Sequence, residues 1–182
     1  MIDTERLLLR PYEPGDVPAI LVLSADPDVR RFIGNLPDSE EGAWTRVLRC
    51  AGHWSLFGFG FGTLAVVERA GGRIIGEVGA GFFRRGVDPV LDNVPEASWL
   101  FSSDVGGRGL AFEAMTGLLR WLAQATPHDR VACLVEPVNL PSLKLAEKLG
   151  FRPIKDVSYR ERPFVLLASP ARPPAGARPA PR

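Results

Sequence analysis

The chain has 182 residues, 46% hydrophobic and 24% charged, with 22 Lys+Arg against 21 Asp+Glu and a net charge of +1. That length favours one domain, and that composition supports a sizeable core and excludes global disorder. The balanced charge speaks against a nucleic-acid surface, no apolar run is long enough to cross a bilayer, and the acidic start at residues 1–6 lacks the apolar core of a secretory signal.

Residues 6–10, Arg-Leu-Leu-Leu-Arg, with Tyr12 read as a first strand. Pro14-Gly15-Asp16 then opens a short helix through Ile20, Leu21 and Leu23, and Pro27-Asp28 restarts a helical turn. Asp38-Ser39-Glu40-Glu41 is a strong helix start, and the helix is expected to carry Trp44, Val47, Leu48 and Ala51 on one apolar stripe. Residues 57–62 alternate Phe and Gly and must bend or turn. Residues 63–68 and 73–83 form two strands around the Ala70-Gly71-Gly72 turn, a hairpin by turn chemistry. A loop follows over 84–94, then a strand over 95–101.

Residues 106–114 read Gly-Gly-Arg-Gly-Leu-Ala-Phe-Glu-Ala, placing three glycines within four positions directly before a helical pattern. Ala111, Ala114, Met115, Leu118, Leu119 and Leu122 supply the apolar face of a helix over 107–124. Glycine permits close backbone approach, and a helix start presents unpaired N–H groups at the positive end of its dipole. The pair is an anion site, with phosphate its usual occupant. A strand over 130–135, a helix over 139–149 capped by Asn139 and stopped by Gly150, and strands over 151–157 and 162–168 complete the pattern. The domain is expected to span residues 1–169, with a Pro/Ala-rich, disordered tail over 170–182. The order of elements predicts an α+β fold: a mostly antiparallel twisted sheet flanked by helices, with one parallel crossover. Cys50 and Cys133 read as reduced thiols, and neither pairs with His53 or His128 at zinc spacing, so no metal is expected and the setting is expected to be cytoplasmic.

A kinase-type phosphate loop needs Gly-Lys followed by Ser or Thr, which this segment lacks. A dinucleotide fingerprint belongs to the first strand of a doubly wound sheet, whereas these glycines lie past mid-chain. Gly107-Arg108-Gly109-Leu110-Ala111 instead resembles the pyrophosphate loop of acyl-CoA-dependent acyltransferases. Four further segments add to the likeness: Thr4 to Pro11 with Asp16, residues 72–79, residues 95–100, and Asn139-Leu140-Pro141-Ser142 followed by Glu147 to Phe151. In that order they resemble the GNAT superfamily of N-acetyltransferases, especially its ribosomal-protein-alanine acetyltransferase branch, over about residues 3–168.

The resemblance implies a GNAT acyl-CoA N-acyltransferase fold and direct acetyl transfer from acetyl-CoA to a primary amine, on a protein N-terminus or a small molecule. Neither cysteine is placed to act as a nucleophile. The main chain of Gly106, Gly107, Arg108, Gly109, Leu110 and Ala111 would cradle the pyrophosphate. The strand Ala97 to Phe101, with Trp99, Leu100 and Phe101, would run beside the pantetheine arm and pair with its amides, and Asn139 and Ser142 would contact that arm. Arg108 reads equally as a phosphate contact or a solvated charge, and Glu113 as a first-turn carboxylate suited to the helix dipole. Glu96 is the expected general base, directly or through water. Glu77 is its competitor, although an outward charge is the preferred reading there. Many relatives carry a Tyr seven residues after the Asn as general acid; here that position is Ala146, which leaves Ser142, water or an unprotonated thiolate. Trp54, Phe57, Phe59 and Phe61 are candidate pocket walls, although core packing is preferred for them. Asp88 and Asp92 are candidate amine attractors, although solvated carboxylates are preferred there. A homodimer is compatible with the resemblance. Two other classes remain open on these grounds: a non-catalytic CoA-binding or regulatory module, and an interaction domain without a CoA site.

Overall fold

The computed structural model describes residues 1–34, 36–57, 62–92 and 94–170, and of Trp54 and Phe57 the backbone alone. Strand β1 (Ile2–Asp3) and β2 (Leu7–Arg10) are followed by a 3-10 turn and helices α1 (Val17–Ala25), α2 (Pro27–Arg30) and α3 (Glu40–Phe57). The central run is β3 (Gly62–Glu68), β4 (Ile74–Gly81) and β5 (Glu96–Phe101). Helix α4 (Leu110–Ala125), β6 (Arg130–Val135), α5 (Leu140–Lys148), β7 (Arg152–Tyr159) and β8 (Arg162–Pro170) complete the chain. The strands form one sheet in the order β1-β2-β3-β4-β5-β6-β8-β7, antiparallel except for the β5–β6 pair. This is the expected architecture, with its one parallel crossover through α4. Strand β8 runs through Pro170, one residue past the expected domain boundary, and the rest of the expected tail lies outside the described residues.

One face of the sheet is covered by α4 and α5. Leu110, Ala114, Met115, Leu118, Leu119 and Leu122 recur at helical spacing and bury against Leu9, Val66, Val78 and Ala97. Phe151 and Ala146 close the same cluster. The opposite face holds α1 and α3, where Tyr12, Val17, Ile20, Ala43, Val47 and Cys50 pack on Ala65. The α3 stripe therefore differs from the expected one. Ala43, Val47 and Cys50 face inward, whereas Trp44, Leu48 and Ala51 are exposed. The reason is rotation of the helix: the buried Arg46–Glu77 ion pair turns α3 so that the small side chains meet the sheet. Ser39, rather than Asp38, caps α3, its Oγ accepting from the Gly42 N–H at 3.2 Å. The Phe-Gly bend expected over 57–62 lies outside the described residues for 58–61.

Candidate active site

Strands β4 and β5 pair continuously from Gly76↔Phe101 to Gly81↔Glu96. Strands β5 and β6, among the described residues, pair only at Glu96↔Ala132, where the Ala132 N–H donates to the Pro95 carbonyl at 3.0 Å. Beyond that point the two strands separate, leaving a wedge-shaped gap in the sheet whose vertex is Glu96. Ser102 N–H donates to Ile75 O on the β4 side at 2.9 Å, while Pro95 O faces β6. Backbone polarity alternates along a strand, so the amides of Ala97, Trp99 and Phe101 point into the gap. Leu100 does not: its amide belongs to the β4 ladder, and its side chain packs with Leu23, Val29 and Leu36. The expected pairing of the Leu100 amide with a pantetheine arm is thus corrected: within the expected Ala97–Phe101 strand, the amides of Ala97, Trp99 and Phe101 are the ones that face the gap.

The glycine loop stands at the open end of the gap. Gly107 (φ 75°) and Gly109 (φ 76°) are left-handed, and Gly109 is the N-cap of α4. An L side chain resists that conformation by about 1–2 kcal/mol per residue, so glycine here is a requirement of the turn. The first bond into the helix is Glu113 N–H to Gly109 O at 3.1 Å. By helix geometry the amides of Leu110, Ala111 and Phe112 have no intrahelical acceptor. Gly106 and Gly107 lead into this cradle.

Side chains brace the loop from outside. Glu113 Oε1 accepts from Thr4 Oγ1 and the Arg6 N–H, both at 2.7 Å, and its Oε2 accepts from Arg6 Nε at 2.7 Å. Burial alone would raise the Glu113 carboxyl, but the bonds from Thr4 and Arg6 outweigh it and hold the group below its ordinary value. Arg6 Nη1 also donates to the Arg108 carbonyl at 3.0 Å. Asp26, the α2 cap, accepts from the Ser103 N–H at 2.8 Å, and Arg73 pairs with Asp104 at 2.7 Å. The Arg108 guanidinium is exposed and pairs with Glu68. Glu113 is thus a tether between α4 and the β1–β2 segment, a stronger role than the dipole contact expected for it.

On the α5 side, Asn139 caps the helix, its Oδ1 accepting from the Ser142 N–H at 3.2 Å. Ser142 Oγ accepts from Trp99 Nε1 at 3.1 Å, which joins β5 to α5 across the gap. Trp99 in turn meets Phe151 edge-on, with ring centroids 6.3 Å apart. Ser142 keeps its own O–H for donation. Ala146 is fully buried in the core and supplies no proton donor.

Glu96 lies on the other face of β5, together with Ser98 and Leu100 and opposite Glu77, Gly79 and Gly81 of β4. It is 5% exposed, and its partner is Arg85, whose Nη1 is 3.2 Å from Oε1. Burial pushes its carboxyl up, and Arg85 pulls part of that shift back. An exposed strand-end charge is therefore excluded for this residue. Glu77 is also buried, correcting the outward orientation preferred for it. Tyr12 O–H donates to its Oε2 at 2.8 Å and Arg46 Nε to the same atom at 3.1 Å, while Arg46 Nη2 grips Oε1. With its oxygens so occupied, Glu77 anchors α3 and the segment after β2 to the sheet. The small neighbour Gly79 serves strand packing, because a Cβ there would stand 2.4 Å from the Gly62 carbonyl.

Asp88 differs from expectation too: it is buried, accepts from the Val90 N–H at 2.9 Å and is clasped by Lys155, so it is neither solvated nor open to an amine. The expected aromatic wall at Phe59 and Phe61 lies outside the described residues. Sequence reasoning passed over Arg6, Tyr12, Arg46, Glu68 and Arg85. Each acts through a partner far along the chain or around a turn, and no local spacing marks it.

A gap between two diverging parallel strands, a glycine-capped helix start at its mouth and a buried carboxylate at its vertex make this the candidate active site. Residues 6–152 match the acetyltransferase (GNAT) domain; the chain belongs to the GNAT family and is an acetyltransferase. It is 35% identical to a GNAT-family acetyltransferase of Bordetella pertussis, covering 92% of this chain and 97% of that one, with a TM-score of 0.80. It is 25% identical to YnaD of Bacillus subtilis, described as an uncharacterized N-acetyltransferase, covering 83% of this chain and 82% of the relative. The ribosomal-protein-S5-alanine acetyltransferase of Vibrio fischeri shares the fold at 17% identity, with a TM-score of 0.69 over 97% of this chain and 98% of that one.

Proposed function

We propose that the protein transfers the acetyl group of acetyl-CoA directly to a primary amine, with Glu96 as the base that relieves the amine of its proton. The observation that carries this reading is the gap between β5 and β6, which has Glu96 at its vertex and the α4 start at its mouth. The residues lining the gap fit the coenzyme. Main-chain N–H groups from Gly107 to Phe112, together with the helix dipole, would hold its pyrophosphate, whereas the Gly106 N–H, expected among them, donates to the Ser103 carbonyl at 3.2 Å. The amides of Ala97, Trp99 and Phe101 would pair with the pantetheine arm as an added strand does. Asn139 and Ser142 would border the same arm from α5.

Acetyl-CoA supplies the activated thioester; the chain supplies alignment, charge and proton transfer. A strand amide aimed into the gap would stabilise negative charge developing on the thioester carbonyl oxygen. Holding both reactants at the vertex would replace an encounter in solution by a fixed approach. Burial makes Glu96 a stronger base than an exposed carboxylate, and the Arg85 charge offsets part of that rise. Ser142 O–H would serve as a proton donor for the departing thiolate, although a thiolate leaves tolerably without help.

Titration calorimetry with CoA, followed by thiol-release assays with an amine panel, tests this reading. Binding with stoichiometric heat and amine-dependent thiol release are expected. Gly109→Asp combines a backbone cost of about 1–2 kcal/mol with a carboxylate at the anion site, so CoA affinity should fall at least about tenfold. Absence of binding heat at millimolar CoA would overturn the proposal.

A further inference from the structure

Two turns converge on the exposed side of Glu96. In the first, Arg84 (φ 48°) and Gly86 (φ 64°) are both left-handed, and between them Arg85 is directed inward. In the second, Arg160 (φ 51°) and Glu161 (φ 62°) form the two-residue connection between β7 and β8. Non-glycine residues seldom hold such backbone angles without a purpose served by the surroundings. Here the turns bring together the Arg85 guanidinium, the Phe83 ring at 4.9 Å and the Tyr159 ring at 5.3 Å. Arg160 lies 5.3 Å from the same Tyr159 ring, and Arg84 is exposed beside them.

Arg85 carries five N–H donors in its planar fork. Among the described residues, Glu96 is its ion-pair partner, through Nη1. The rings fix the position of the guanidinium without using its edges, and side-chain exposure of 28% leaves room for a ligand. A guanidinium edge selects planar, two-oxygen anions. The adjacent pair therefore offers a carboxylate that takes a proton and a cation that takes a carboxylate. Arg84 and Arg160 add positive potential around the opening, which favours an anionic group on the approaching acceptor. A bare polyamine would meet those charges with its own.

Resting on the acetyl-transfer reading above, we infer that the acceptor is a zwitterion, a free amino acid whose carboxylate docks on Arg85 while its amine faces Glu96. The charges of such a ligand mirror the Arg85–Glu96 pair, so it inserts without leaving either group uncompensated. The ammonium gives one proton to Glu96, its nitrogen forms the bond to the acetyl carbon, the carbon–sulfur bond breaks with its electrons going to sulfur, and the second proton lost from nitrogen passes to that thiolate to give the free thiol of CoA. Phe83 and Tyr159 set the angle of the guanidinium and act as positioning residues.

The test is a thiol-release screen of the full-length protein with acetyl-CoA, using each common amino acid beside its α-amide, which keeps the amine and lacks the carboxylate. Free acids are expected to exceed their amides by about 10- to 100-fold in kcat/KM, the scale of a lost hydrogen bond to a charged group. In Arg85→Gln that ratio should collapse toward one through a rise in KM for the acids, and Arg85→Lys should recover only part of it. Circular dichroism and CoA calorimetry on each variant show that fold and coenzyme site persist. Amides equal to or better than acids, or equal losses on both in Arg85→Gln, would overturn the inference. If CoA binds and other amines alone are acetylated, this inference falls and the transfer reading stands; if CoA does not bind, both fall.

Discussion

On the coenzyme side of the sheet, the groups aimed at the ligand belong to the backbone: left-handed Gly107 and Gly109, the start of α4 and the gap-facing amides of β5. On the proposed acceptor side they belong to side chains: Glu96, Arg85, Phe83 and Tyr159. The bracing differs in the same way. The glycine loop is held from outside by partly exposed ion pairs, Arg6–Glu113, Arg73–Asp104 and Arg108–Glu68. The acceptor face is held by the buried Tyr12–Glu77–Arg46 cluster. On the proposed reading, one side recognises the coenzyme's phosphates, for which main-chain donors suffice. The other must distinguish among amines, which requires side chains whose identity can differ between relatives.

The comparison breaks most sharply at Glu96. Glu96→Gln should lower kcat by about 10²- to 10⁴-fold, the range of general base catalysis, while calorimetry shows CoA affinity unchanged. Because burial raises the Glu96 carboxyl, the wild-type rate should climb with pH above the ordinary carboxylate range, and that limb should vanish in the variant. A matching loss of CoA affinity would mean that the two sides are not separable.

Next in size is Arg46→Ala. Removing one partner of a buried ion pair costs about 3–5 kcal/mol, read as a shift in urea midpoint at unchanged slope. Tyr12→Phe, Arg46→Met and Glu77→Leu together should recover most of that loss, because no uncompensated charge then remains. Failure of the triple variant to recover would give the cluster a role beyond anchoring α3.

The smallest effect belongs to the outer brace. Glu113→Gln should cost about 1 kcal/mol near neutral pH, a charged hydrogen bond discounted for the half-exposed Arg6. Since the Glu113 carboxyl lies below its ordinary value, its contribution is present above the unfolded-state value and lost as pH falls through the lowered one. Wild type and variant should therefore converge in thermal melts taken at progressively lower pH.

Much of the fold was legible because period and punctuation are local. The α4 stripe, the β3–β4 hairpin around Gly71-Gly72, the Asn139 cap and the Gly150 stop all appear where short-range pattern places them. The α3 stripe was misread because Trp44 and Leu48 fit the period as well as Ala43 and Cys50 do. The choice between faces lay with Glu77, on a strand not yet formed when the helix is considered alone. Leu100 was misassigned for a related reason: which edge of β5 an amide faces depends on its pairing register with β4.

By itself, the sequence determined the order of elements and the glycine-capped helix, since backbone conformation at a glycine turn is set by the residues in that turn; the coenzyme expected there came from the family resemblance. Tertiary structure decided what surrounds each carboxylate. Glu77, Glu96, Asp88 and Glu113 are alike in sequence, but they end as an anchor, a raised and lightly paired base, a lysine clasp and a tether. A carboxylate's proton affinity and availability follow from desolvation and from the charges beside it, and for these four the partners come from other segments of the chain.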